Sequence, residues 1–171
     1  GYWPDGKVKT KTLHGSLVPV QTDDYRYNAR GWLTDINNDD SVSTLETGTA
    51  DHIGVRLRYE SGGVGNAGWY NGNVALYTAK VSPGGSYFTT TQRYGYDALD
   101  RLTKDSWSGG YPSYPLTTFG YDKNGNIDSV KKGSVLYDYQ YYPNSNRLGQ
   151  VTGLYPGTDN FGYTPSGSMS R

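Results

Sequence analysis

The chain has 171 residues and 18.8 kDa, enough for one domain, and its sixteen basic and sixteen acidic residues cancel to a net charge of zero. That balance gives no support for nucleic acid or an anionic membrane as a partner. The lack of Cys excludes disulfides, thiol nucleophiles and Cys-based zinc sites.

Composition narrows the fold class. There are 18 Tyr and 24 Gly but only two Glu, six Ala and one Met, so strong helix formers are scarce and an all-β protein is expected. No apolar run approaches the roughly 18 residues of a membrane-spanning helix, so no membrane insertion is expected. Gly1 to Gly6 lack the basic and apolar stretches of a signal peptide.

A repeated unit runs along the chain: an aromatic, any residue, Tyr, a polar turn, and an aliphatic residue six positions after that Tyr. It opens at Tyr2-Trp3-Pro4-Asp5-Gly6-Lys7-Val8, without the first aromatic. The next copy is Tyr25-Arg26-Tyr27-Asn28-Ala29-Arg30-Gly31-Trp32-Leu33. After a long step come Tyr94-Gly95-Tyr96-Asp97-Ala98-Leu99-Asp100-Arg101-Leu102 and Phe119-Gly120-Tyr121-Asp122-Lys123-Asn124-Gly125-Asn126-Ile127. Tyr139 to Leu148 carries one extra turn residue, and Phe161-Gly162-Tyr163-Thr164-Pro165-Ser166-Gly167-Ser168-Met169 is the last copy. The step between Tyr27 and Tyr96 is about three ordinary ones, so two degenerate copies are expected within 52–76, one around Arg56 to Gly63 and one at Tyr70-Asn71-Gly72-Asn73-Val74. Starting and stopping inside a repeat suggests a segment cut from a larger protein.

Each part of the unit has a physical reason. Residues two apart on a strand face one side, so aromatic-x-Tyr places two rings together. The Asp or Asn that follows bonds its own downstream backbone and starts a turn. Three residues later stands Gly6, Gly31, Gly125 or Gly167, with Asp100 the exception; a three-residue hairpin loop needs a left-handed residue there. The expected architecture is therefore a series of consecutive antiparallel β-hairpins in a curved, twisted sheet.

The pattern Tyr-x-Tyr-Asp-x-x-Gly-Arg-Leu resembles the YD repeat of the RHS (rearrangement hotspot) family, most closely at 94–102. The copies at 25–33 and 119–127 keep the frame but have Trp32 and Asn126 in place of the Arg. The resemblance gives structural roles to Tyr25, Tyr27, Gly31, Leu33, Tyr94, Tyr96, Asp97, Arg101, Leu102, Phe119, Tyr121, Asp122, Gly125, Tyr139, Tyr141, Arg147, Phe161, Tyr163 and Gly167. It implies a strip of a hollow β-shell in a secreted or cell-surface protein, with the remainder of that protein as partner. In bacterial toxins of the family the shell encloses a toxic domain; in teneurins a similar shell is adhesive. The family's self-cleaving Asp-Pro-x-Gly-Leu element has no match here, so neither proteolysis nor toxicity carries over, and no enzymatic activity or cofactor is expected. Open edge strands would favour self-association.

Other chemistry is weaker. His14 and His52 have no nucleophile elbow beside them. Asp23-Asp24 and Asp39-Asp40 read as solvated loop carboxylates before they read as acid–base pairs. Asp35, Asn37, Asp39, Ser41, Ser43 and Glu46 follow a calcium-loop spacing, but Asp40 stands where that loop needs Gly and no amphipathic helices flank it. Trp32, Trp69 and Trp107, with Trp3 and the Tyr137-x-Tyr139-x-Tyr141 face, can stack on glycans, although sheet packing is the commoner use of such rings.

Overall fold

The computed structural model describes residues 1–14, 19–37, 53–81, 88–109, 115–154 and 157–170. The fold is all-β, and the chain divides into two compact units, residues 1–95 with 106–114, and residues 96–105 with 115–171.

In the first unit, β1 (Thr10–His14), β2 (Pro19–Tyr27), β3 (Leu33–Ile36), β4 (Ile53–Arg58), β5 (Leu76–Val81) and β6 (Phe88–Tyr96) pair antiparallel, each with the next. β7 (Leu102–Ser108) begins in the second unit, where its Lys104 and Asp105 pair with β8 (Thr117–Tyr121). There β9 (Ile127–Lys132), β10 (Val135–Tyr141), β11 (Leu148–Leu154) and β12 (Gly157–Asn160) follow in sequence order. β13 (Gly162–Tyr163) and β14 (Met169–Ser170) form a further short pair.

Consecutive hairpins are thus the architecture, as the repeat predicts. The long step between Tyr27 and Tyr96 holds the antiparallel pairs β3–β4, β4–β5 and β5–β6. Of the two proposed degenerate copies, the first starts in β4 and runs into the connection 59–75, and the second lies within that connection. Gly72 at φ +102° keeps the turn character of the second one. Tyr59 occupies the place of the repeat's second Tyr.

Tyr and Thr dominate the strands because both sheet faces stay largely wet. The buried apolar residues among those described are Tyr59, Ala75, Ala79 and Val151, and no large side chain is fully enclosed. Residues that fit a pleated surface and still tolerate water suit such strands better than Leu does. Cross-strand pairs supply part of the cohesion, as where Thr78 lies opposite Thr91 with their hydroxyls 3.4 Å apart.

Three repeat copies carry the same register slip. Tyr27 pairs with Leu33 and Arg26 with Asp35, leaving Thr34 extra; Asp128 and Gly149 are extra in the same way. One unpaired residue after the repeat's aliphatic makes a β-bulge, which adds local right-handed twist.

Candidate functional site

The turns are built alike. In the 94–102 copy the Asp97 carboxylate accepts the backbone N–H groups of Leu99 and Arg101 at 2.9 and 3.0 Å, and its second oxygen accepts from the Arg101 guanidinium. Asp122 holds the N–H groups of Asn124 and Asn126, and Asn28 those of Arg30 and Trp32. Thr164 does the same work with its hydroxyl, accepting from the N–H of Ser168. Gly6, Gly31, Gly125 and Gly167 are left-handed at φ +79° to +87°, and Asp100 adopts φ +62° in their place. The Arg101 guanidinium beside Asp97 holds its carboxyl below the usual carboxylate range; the Asn126 amide does so for Asp122.

A second regularity joins one copy to the next. In four places a Tyr in the repeat's second position donates its hydroxyl to the carbonyl of the aliphatic residue in an earlier return strand. Tyr121 reaches Leu102 at 2.7 Å, Tyr141 reaches Ile127 at 2.8 Å, and Tyr163 reaches Leu148 at 3.1 Å. Tyr59 reaches Leu33 at 2.7 Å, which identifies it as a member of the series. In three copies the residue just before the aliphatic is a cation that lies on the next copy's second Tyr. Arg101 sits 4.5 Å from the Tyr121 centroid, Arg147 5.3 Å from Tyr163, and Lys7 5.9 Å from Tyr27. Trp32 replaces the cation with a ring, 5.0 Å from Tyr59. Asn126 instead donates to Asn146 in the next turn at 2.9 Å. Trp32 therefore keeps the place of the Arg on the next ring, whereas Asn126 reaches into the neighbouring turn.

Removing these hydroxyls should be measurable. Tyr121→Phe and Tyr163→Phe are each expected to lose about 1 kcal/mol, the net worth of a hydrogen bond, by urea unfolding. Their double variant should lose close to the sum, because the two sites share no partner. A change within error for both single variants would show the hydroxyls to be idle.

Burial pushes the hydroxyl pKa of Tyr59 and Tyr96 above the ordinary 10.0, and also those of Tyr25 and Tyr141, where nearby acidic groups add to the effect. The unfolded chain then releases these protons first as pH rises. The stability that these raised values contribute is present in full below about pH 10 and is lost as pH rises above it. Chemical denaturation at rising pH should show the fall beginning near pH 10, together with tyrosinate absorbance. An unchanged midpoint through that window would contradict it.

The other predicted residues are placed as follows. Asp35 and Asn37, the first candidate calcium ligands, are committed elsewhere. Asp35 lies opposite Arg56 and pairs with its Nε at 3.2 Å, the two being 3% and 8% exposed. Asn37, at φ +50°, donates to Asp23 and to the Ile53 carbonyl and accepts the Asp24 N–H. Asp39, Ser41, Ser43, Glu46 and His52 lie outside the described residues. No group of three potential metal ligands occurs among those described. Trp69 and Trp107 are half-buried. Trp32 is packed against Tyr59, Arg30 and Gly72, where an added Cβ would lie 3.3 Å from the indole.

One cluster of the first unit stands outside the repeat's regularities. The Arg30 guanidinium lies 5.1 Å from the Trp32 ring centre and 5.9 Å from that of Tyr70, and bonds Glu60 at 2.7 Å. Nothing in the local pattern signals this grouping, because Glu60 and Tyr70 come from the long 59–75 connection.

The chain matches no known protein-family model and no curated protein.

Proposed function

We propose that the chain is a strip of wall from a larger secreted or cell-surface repeat protein of the RHS type. Its work in that reading is structural, enclosing or displaying another domain, without catalysis of its own. The observation that carries it is the hydroxyl bond that recurs at Tyr59, Tyr121, Tyr141 and Tyr163, each reaching the aliphatic residue of an earlier return strand. Stability in such an array is a sum of units and nearest-neighbour contacts, which suits a surface extended by repetition.

A strip of this kind leaves strand edges open to further pairing. Light scattering over a wide concentration range is expected to show association that grows with concentration. Strictly monomeric behaviour at high concentration, with full thermal stability, would contradict the wall reading. The alternative is a carbohydrate-binding or adhesive module. It is favoured by one observation, the exposed Tyr70 beside the Arg30–Glu60 pair.

A further inference from the structure

The two largest departures from the repeat's construction rule occur in one place. The first is Trp32, standing where other copies have Arg or Lys over the next Tyr. The second is the connection 59–75, which replaces a tight turn between β4 and β5. A long connection inside an otherwise economical repeat is where function concentrates. Departures from a rule that the rest of the molecule obeys point the same way.

What they assemble is an open platform. Tyr70 is 68% exposed and has no hydrogen-bond partner among the described residues. Beside it, Arg30 and Glu60 are about half-exposed and joined through one guanidinium nitrogen and one carboxylate oxygen. The remaining guanidinium N–H groups and the second carboxylate oxygen are left to solvent. Trp32, held by Tyr59 below and Gly72 alongside, fixes the position of the Arg30 head. An aromatic face thus adjoins several donors and an acceptor at fixed spacing, with no net charge.

That chemistry selects its ligand. The Glu60 carboxylate opposes a phosphate or sulfate, and Arg30 opposes a cationic guest of the aromatic rings. A neutral polyhydroxylated ring satisfies all three parts, with its C–H face on Tyr70 and paired hydroxyls between Arg30 and Glu60. We infer that Arg30, Glu60 and Tyr70 form a binding site for a neutral hexose of a polysaccharide chain. The inference rests on the carbohydrate-binding reading rather than on the wall reading, and the two fail separately, since association through strand edges does not involve these side chains.

The test is calorimetric titration of the full chain with cellohexaose, maltohexaose and mannohexaose, with a heparin hexasaccharide as the anionic control. At least one neutral probe is expected to bind saturably. Tyr70→Ala should weaken that binding about tenfold or more, the equivalent of about 1.4 kcal/mol. Glu60→Gln should weaken it too, while Tyr142→Ala, an exposed ring in the other unit, should leave it unchanged. Both site residues are exposed, so thermal midpoints should stay near that of the parent chain. No saturation with any neutral probe would overturn the site. So would binding that survives Tyr70→Ala, or binding by the heparin fragment alone.

Discussion

Replacing Arg56 by Ala is expected to cost about 3–5 kcal/mol of folding stability, because it strands a buried charge. Asp35 and Arg56 face each other on adjacent strands and are almost wholly shielded from water. Taking either charge out of water costs several kcal/mol, and their mutual attraction offsets that only while both are present. Without Arg56, the Asp35 carboxylate keeps its desolvation penalty and loses its counter-ion. A domain's whole margin is about 5–15 kcal/mol, so the variant would give up a large share of it. The paired replacement Asp35→Leu with Arg56→Leu should fall much closer to the parent, because two apolar groups of adequate size remove both penalties together. Urea unfolding followed by far-ultraviolet circular dichroism decides the matter. A single variant that loses under about 1 kcal/mol, or a double variant as weak as the single, would refute this account. By contrast the exposed pair Arg30–Glu60 should contribute only about 0–1 kcal/mol.

Asn37→Ala should be the next most damaging, at about 2–4 kcal/mol. The Asn37 side chain ties the end of β3 to β2 and β4 at once, with three hydrogen bonds of 2.8–3.0 Å to Asp24, Asp23 and Ile53. Each is worth about 1 kcal/mol net, and more where a shielded partner is orphaned. Asn37 also sits at φ +50°, a conformation that Asn tolerates and Ala resists. Asn37→Gly separates the two causes. It removes the same bonds but relieves the backbone, so it should recover about 1 kcal/mol of the loss. Equal losses for Ala and Gly would mean the backbone is unstrained; a loss below about 0.5 kcal/mol for both would mean the bonds are dispensable.

Local features are legible in the sequence and lateral ones are not. Asp97, Asp122 and the left-handed Gly31 and Gly125 can be read from residue type and spacing, because a tight turn is decided within five residues. Tyr59 gives only a degenerate signal, because Leu57 stands where the first aromatic belongs and a long connection replaces the turn that would mark it. The seat of Arg101 on Tyr121 joins residues of neighbouring hairpins, and only the register between hairpins brings them together. Asp35 shows the cost of reading along the chain alone. Its spacing to Asn37 suggests a metal loop, whereas its true partner, Arg56, lies 21 positions away on the adjacent strand.

The hydroxyl bonds made by the repeat's second Tyr run in one direction. Tyr59, Tyr121, Tyr141 and Tyr163 each reach a carbonyl that precedes them in the chain, by 14 to 26 positions. In these four bonds the acceptor is therefore made before its donor during synthesis. Each of these four tyrosines leaves the ribosome to meet a finished seat, so this set of fastenings can close vectorially, whereas the Tyr142 hydroxyl waits for the Phe161 carbonyl downstream.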